Sequence, residues 1–256
     1  MPITTGPAHL GTVLGVWAHP DDEAYLSAGL MALARDHGER VVCVTATRGE
    51  RGTADPVTWP PDRLAEVRTA ELARSLAVLD VREHHWLGLP DGGCEPADPA
   101  PVERLAALIA RVRPHTVVTF GPDGLTGHPD HRAVSAWTYQ AFLRTAPPRA
   151  RLWHAAMPER RRHWEAAIDG LGVYPPGLPE YHPQDRLVVD WALPPALADR
   201  KLRALLAQAT QVGGLIEALG AETYAAWVAE EAYVEAAVRP AAGAPPWTAG
   251  WDVDAC

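Results

Sequence analysis

The chain has 256 residues, with 23 Lys+Arg against 32 Asp+Glu and a formal net charge of −9. A hydrophobic fraction of 47% with 21% charged residues is ordinary globular usage and excludes wholesale disorder. The acidic balance argues against a nucleic-acid-coating protein, whose footprint would be basic, and no apolar run reaches the roughly 18 residues that a membrane span needs. Met1–Leu10 lacks the basic-then-apolar order of a signal peptide. Cys43, Cys94 and Cys256 are too few and too widely spaced for a disulfide framework, which leads us to expect a reducing, cytoplasmic setting.

Along the first 150 residues short apolar runs alternate with longer amphipathic stretches. Thr12–Ala18 predicts a buried strand, and Asp22–His37 a helix that closes at Gly38. Arg40–Thr47 is a second strand, and Pro60–Leu79 a long helix entered through two prolines. Glu83–Leu87 is a weaker strand, Val102–Val112 a helix, Thr116–Phe120 a buried strand, and His128–Leu143 a helix with Pro129 in its first turn. Alternation of this kind predicts an α/β protein with a mostly parallel, doubly wound sheet. Later signals are looser. Arg151–Ala155, Arg186–Trp191 and Tyr233–Val238 read as strands, Pro195–Ala209 and Glu222–Ala229 as helices, and the Pro-rich Tyr174–Pro183 as loop. The tail from Pro240 to Cys256 is read as a frayed end or as a strap docking through Trp247 and Trp251. We expect a single domain over 1–256, with a core at 12–145, a smaller pocket-shaping C-terminal subregion at 146–239 and the tail at 240–256.

In an open parallel sheet, ligands bind beyond the carboxyl ends of the strands. Four strand-to-helix loops fall there and all carry polar clusters: His19-Pro20-Asp21-Asp22-Glu23, Thr47-Arg48-Gly49-Glu50-Arg51-Gly52, Gly88-Leu89-Pro90-Asp91-Gly92-Gly93, and the loop from Gly121 into His128-Pro129-Asp130-His131. His128 and His131, at i,i+3, share one helical face. Two histidines and one carboxylate suit a catalytic zinc with one position left for water, and His19, Asp22 and His131 are the best such set. Asp21 and His128 then stand as unligated acid/base groups. Asp21 would take a proton from water whose pKa the zinc lowers to about 7. Protonated His128 would stabilise the oxyanion or protonate the leaving amine. Asp130 would orient a histidine through its other ring nitrogen.

These residues resemble a known family. Ala18-His19-Pro20-Asp21-Asp22-Glu23 together with His128-Pro129-Asp130-His131, supported by Arg68-x-x-Glu71-Leu72 and by Leu87-Gly88-Leu89-Pro90-Asp91-Gly92, is similar to the LmbE-like, or PIG-L, de-N-acetylases over roughly residues 12–145. The resemblance implies a Rossmann-like three-layer fold and a zinc-dependent hydrolase that removes acyl groups from N-acylated amino sugars. It also implies His19, Asp22 and His131 as ligands, Asp21 as general base and His128 as electrostatic or general-acid partner. Two positions depart from the family pattern: Gln208 stands where members often carry a histidine, and Thr126 where some sugar-thiol deacetylases carry a tyrosine.

Arg68, Asp91 and Glu50 are expected to contact substrate through charge-assisted hydrogen bonds. Arg160-Arg161-Arg162 reads as a solvated helix face, with an anchor for an anionic substrate as the rarer alternative. His84 and His85 point to opposite faces of a strand and are taken as structural, and His154, His163 and His182 as surface or core residues. No G-x-G-x-x-G or G-x-S-x-G is present, which argues against a dinucleotide cofactor and a serine nucleophile.

The expected activity is therefore zinc-dependent hydrolysis of an amide, most simply de-N-acetylation of an N-acetylglucosamine-type conjugate, a small-molecule substrate. Ligand type also admits other divalent metals. Partners are expected to include neither nucleic acid nor membrane, and homo-oligomerisation is left open. The competing readings are an amidase or de-N-acylase of a thiol conjugate or natural-product glycoside and, in a different class, a non-catalytic metal-containing binding protein.

Overall fold

The computed structural model describes residues 6, 7 and 9–237. The tail reading, and the end of the expected last strand at Val238, lie outside the described residues. β1 (Val13–Trp17), α1 (Asp22–Asp36), β2 (Val41–Thr45), α2 (Pro61–Val78), β3 (Glu83–Trp86), α3 (Pro99–Val112), β4 (Thr116–Phe120), α4 (Pro129–Thr145) and β5 (Arg151–Ala155) alternate as the hydrophobic pattern dictates. β1, β2 and β4 are buried at every position, as parallel strands covered on both faces must be. The chain continues through β6 (Met157–Pro158), a 3₁₀ turn at Glu159–Trp164, α5 (Glu165–Ile168), β7 (Tyr181–His182), β8 (Leu187–Ala192), α6 (Pro195–Leu206), α7 (Ala209–Leu219), α8 (Ala221–Val228) and β9 (Glu230–Glu235).

The main sheet has the order β3-β2-β1-β4-β5-β9-β8, with β1 to β5 parallel, β9 antiparallel to β5, and β8 antiparallel to β9. α3 packs on α4 in one layer, and α1 and α2 pack on α6 in the other. The strand order reverses between β1 and β4, which opens a crevice at their carboxyl ends. This is the expected three-layer arrangement.

Some boundaries differ from expectation for local reasons. α3 starts at Pro99 because the Asp98 carboxylate accepts from Ala100 N–H at 2.9 Å and Pro99 suits the first turn. The apolar stripe that begins at Val102 carries neither signal. β7 lies inside the segment expected to be loop, and α7, with Gly213 and Gly214 within it, was not foreseen. β9 begins at Glu230, earlier than the expected Tyr233, because two acidic residues there are internally paired.

That pairing ties the C-terminal subregion to α1. The Lys201 and Glu231 side chains are both 0% exposed, with Nζ 3.0 Å from Oε1. Glu231 accepts from the backbone N–H groups of Gly29 (2.7 Å) and Leu30 (2.9 Å). Lys201 Nζ donates to the carbonyl of Tyr25 (2.7 Å), and the Tyr233 hydroxyl to that of Leu26 (2.7 Å). In an undisturbed helix those carbonyls are the partners of the same two N–H groups. Three side chains thus enter one turn of α1 and answer all four of its backbone groups. Gly29 permits the approach, since a Cβ there would lie 3.2 Å from Glu231 Oε1 and 2.5 Å from the Leu193 side chain packed beside it.

Replacing Lys201 with Met leaves the Glu231 carboxylate buried without its counter-charge. We expect Lys201→Met to lose about 3–5 kcal/mol of stability in urea unfolding; a loss below about 1 kcal/mol, the ordinary scale of a substitution, would show that the pair does not hold the two parts together.

Candidate active site

The loop after β1 carries His19, Asp21 and Asp22, and the loop after β4 carries His128, Asp130 and His131, so adjacent strands at the reversal bring the two motifs together. His19 Nδ1 lies 3.2 Å from His131 Nε2. Asp22 Oδ1 is 3.4 Å from His131 Nε2, and Asp22 Oδ2 is 3.6 Å from His19 Nδ1. All three side chains are about nine-tenths buried.

Hydrogen bonds on the far sides of the rings fix which nitrogens face inward. His131 Nδ1 is 3.0 Å from the Gly124 carbonyl and 3.1 Å from Thr126 Oγ1. A carbonyl only accepts, so Nδ1 carries the proton and Nε2 presents a lone pair. His19 Nε2 is 3.1 Å from Asp91 Oδ1 and 3.2 Å from Asp130 Oδ2. Carboxylates accept there too, and in the neutral ring the lone pair falls on Nδ1. Two lone pairs and a carboxylate therefore converge, and they require a cation between them.

Without a metal the cation is a proton. Burial of His19 disfavours its charged form, but the hydrogen bonds to Asp130 and Asp91 outweigh this and push its pKa to about 10. Burial, with His19 beside it, drives His131 down to about 4 although Asp22 pulls it up. A metal also fits. Arms of about 2.0–2.1 Å in a tetrahedral zinc site put neighbouring ligand atoms about 3.4 Å apart; the two ring nitrogens are 3.2 Å apart, and the Asp22 carboxylate faces His131 with Oδ1 at 3.4 Å and His19 with Oδ2 at 3.6 Å. His19, His128 and His131 also bring ring nitrogens within 4.8 Å of one another, which makes His128 an alternative third donor, and His19, Asp91 and Asp130 form a second such cluster.

Asp21 is placed differently from its neighbours. It precedes α1 but makes no capping hydrogen bond with its side chain, so its carboxylate is not committed to the helix end. Its backbone sits at φ 112°, a region that costs a non-glycine residue of order 1–3 kcal/mol. Glu23 Oε2 accepts from the Asp21 N–H at 2.9 Å, and Arg68 donates to the Pro20 carbonyl and approaches Asp21 Oδ2 at 3.5 Å. Burial raises the Asp21 carboxyl to about 7 against the pull of Arg68. His128 accepts the Asp130 N–H on Nδ1 at 3.1 Å. Its neutral ring therefore carries a proton on Nε2, and burial keeps the pKa below the ordinary value. Its ring stands edge-on to His19, with centroids 4.8 Å apart.

The residues expected to contact substrate are largely engaged within the protein. Glu50 does not line the cavity; its carboxylate accepts the Asp91 N–H at 2.8 Å. Asp91 bridges His19 and the Arg51 N–H (2.8 Å), and Arg68 donates to the Gly49 carbonyl (2.9 Å) as well as to Pro20. The side chains of Arg68 and Asp91 still border the cavity. Asp130, fully buried, holds the Gly92 (2.8 Å) and Cys94 (3.1 Å) N–H groups along with His19.

A cavity of about 630 Å³ opens over His19, Asp21, Asp22, His128 and His131. Its far wall comes from the C-terminal subregion. The sequence reading missed Glu23, the last acid of the first motif, which is fully buried and also accepts from Ser75 (3.1 Å) and Gln208 (2.7 Å). It also misjudged the arginine run. Only Arg162 is solvated; Arg160 binds Asp190, and Arg161 is buried and faces the cavity. A short basic run gives no periodic signal of burial, so only its partners, far away in sequence, reveal it.

The family model described as GlcNAc-PI de-N-acetylase (PIG-L) matches residues 14–142. A 1D-myo-inositol 2-acetamido-2-deoxy-alpha-D-glucopyranoside deacetylase of Kineococcus radiotolerans is 34% identical over 78% of this chain and 68% of its own length. The protein of the same description from Nakamurella multipartita is 33% identical over 97% of this chain and 96% of its own. Among solved structures, N,N'-diacetylchitobiose deacetylase of Pyrococcus horikoshii superposes with a TM-score of 0.68, covering 90% of this chain and 85% of that one at 17% identity, a likeness of fold.

Asp130 fixes the proton of His19 on the outward nitrogen. We expect Asp130→Ala to weaken divalent-metal binding by about 10–100-fold in calorimetric titration, while zinc affinity equal to wild type would show that Asp91 alone suffices to orient the ring.

Proposed function

This chain belongs to the PIG-L family, and we propose that it is a metal-dependent deacetylase hydrolysing the acetamide of an N-acetylglucosamine-type conjugate. The observation that carries this reading is the convergence of two imidazole lone pairs and a carboxylate beside an uncommitted carboxylate, Asp21, on one cavity wall. His19 Nδ1, His131 Nε2 and an Asp22 oxygen would hold the metal, with zinc the ion that this nitrogen-rich, four-coordinate set suits best. When bound, the metal supplies Lewis-acid polarisation and a lowered pKa for water.

The chain's own residues account for the proton movements. Asp21, with a pKa raised towards 7 by burial, takes a proton from the water that attacks the acetyl carbonyl. His128 Nε2–H donates a hydrogen bond to the carbonyl oxygen as it becomes an oxyanion, and the proton that Asp21 has taken passes to the departing amine. Acetate and a free amino sugar leave. Asp130 and Asp91 keep the His19 proton outward, and Glu23 and Arg68 hold the strained Asp21 backbone so that its carboxylate faces the cavity. Buried, unpaired Cys43 and Cys94 support a reducing, cytoplasmic setting. Among the described residues no helix is long and apolar enough to cross a membrane.

The test is metal analysis together with acetate release from N-acetylglucosamine glycosides. Wild type is expected to hold about one divalent ion per chain and to lose turnover on chelation, as a three-ligand catalytic site requires. Asp21→Asn is expected to keep the ion and lose about 10²–10⁴-fold in kcat. Turnover that survives in Asp21→Asn removes the base assignment, and absence of any bound metal after zinc reconstitution removes the metal centre. Glu23→Gln would set an amide donor against donors, since its carboxylate accepts three hydrogen bonds. We expect a fall of about 100-fold in kcat from a displaced Asp21, with metal content and KM unchanged; a change in KM alone would place Glu23 in substrate binding instead.

A further inference from the structure

The loop that leads into His131 carries a backbone feature that the hydrolysis does not use. The Thr126 N–H donates to the Gly124 carbonyl at 2.7 Å, which closes a three-residue turn around Leu125. Leu125 sits at its centre with φ 60°. The positive-φ form of this γ-turn is rare and strained, and any side chain at its centre adds to the cost. Glycine would occupy the position freely.

The turn itself has an evident purpose. The Gly124 carbonyl and Thr126 Oγ1 lie 3.0 and 3.1 Å from His131 Nδ1, so the residues on either side of Leu125 clamp one ring. That clamp needs a carbonyl and a hydroxyl, and a leucine between them contributes neither. The Leu125 side chain is explained instead by what it meets. It is 5% exposed and borders the cavity on the His131 side.

Strand pairing decides what lies next to it. Phe120, at the end of β4, pairs with Ala155, at the end of β5, so the loops that follow run side by side. Ala155, Ala156 and Met157 line the cavity there, and Leu171 and Val173 border it as well. None of these offers a polar side chain. Asp21, Arg68 and Asp91 come from the loop after β1, from α2 and from the loop after β3, across the sheet reversal from β5. Asp21 hands its proton to the departing amine, which places the amino sugar on that polar side. The acyl group, at the other end of the bond that breaks, then points towards Leu125 and the apolar wall.

We propose that Leu125 sets the length of the acyl group: its side chain closes the apolar part of the cavity against chains much longer than acetyl. The inference rests on the deacetylase reading above and adds to it a determinant of which amide is cleaved. The strained turn is then what it costs to hold a hydrophobic stop beside His131.

The test compares kcat/KM of the full-length protein on methyl glycosides of N-acetyl-, N-butanoyl- and N-hexanoylglucosamine. For wild type we expect acetyl to be preferred over hexanoyl by about 100-fold or more, since a filled apolar site resists added methylenes. Leu125→Gly suits the turn and removes four side-chain carbons, the number by which hexanoyl exceeds acetyl. It should shrink the preference at least about 10-fold, and Leu125→Ala about 3–10-fold. Bound zinc, measured in both variants, reports whether the clamp on His131 survives. A leucine that only supports the turn predicts otherwise: zinc content and turnover of all three amides would fall together at an unchanged ratio, and that result overturns the proposal. A wild type that cleaves hexanoyl as readily as acetyl overturns it too. If none of the three amides is cleaved, the deacetylase reading fails and the acyl stop with it; the failures are distinguishable because turnover of the acetyl substrate persists in wild type in the other two.

Discussion

Two imidazole lone pairs 3.2 Å apart repel unless a cation lies between them, and most of the machinery around the site exists to keep them facing each other. Asp130 and Asp91 take the outer proton of His19, and the Gly124 carbonyl takes that of His131. Asp130 is in turn held by two backbone N–H groups of the loop after β3, and Asp91 by one of the loop after β2. All four strand-to-helix loops are thereby drawn to one point. The sheet order that puts β1 beside β4 is the geometric condition for this, and the loops from β2 and β3 lock the result.

Asp21 shows what a fold can hold in place once its surroundings are rigid. A non-glycine residue at φ 112° is unfavourable in isolation, yet here its N–H, its preceding carbonyl and its carboxylate each meet a buried partner. Gln208 belongs to this arrangement. It donates to Glu23 at 2.7 Å and so reaches Asp21 through a single intermediate. A departure from the family pattern late in the chain therefore bears on the first motif and leaves the metal set alone.

The sequence made the placement of the candidate residues legible where residue type and spacing coincide with a structural junction. His19, Asp22, His128 and His131 were readable because each sits just past a buried apolar strand, where an α/β fold must place its site. The parallel sheet was readable from the same strands. Glu231 and Lys201 were opaque, because a charged residue looks solvent-facing until its partner 30 positions away is known. Arg161 was opaque for the same reason. Glu50 was read as a substrate contact since a polar loop residue gives no hint of whether it bonds outward to a ligand or inward to a backbone amide, and Arg68, on α2, borders the cavity while its guanidinium is also engaged by two backbone carbonyls. The general rule is that periodicity encodes apolar burial well and polar burial hardly at all.

The charged insertion into α1 has a chemical consequence. Lys201 is the chain's one lysine, every other cationic side chain that is charged at all pH values of interest being an arginine. With its ammonium 0% exposed and bonded to a carbonyl and a carboxylate, the folded protein presents no lysine amine to solvent. Amine-acylating reagents and lysine-modifying enzymes thus find no lysine target while α1 and α6 stay together. Conversely, the appearance of a modified Lys201 counts molecules in which that junction has opened, so the residue that anchors the two parts of the domain also serves as an intrinsic label for their separation.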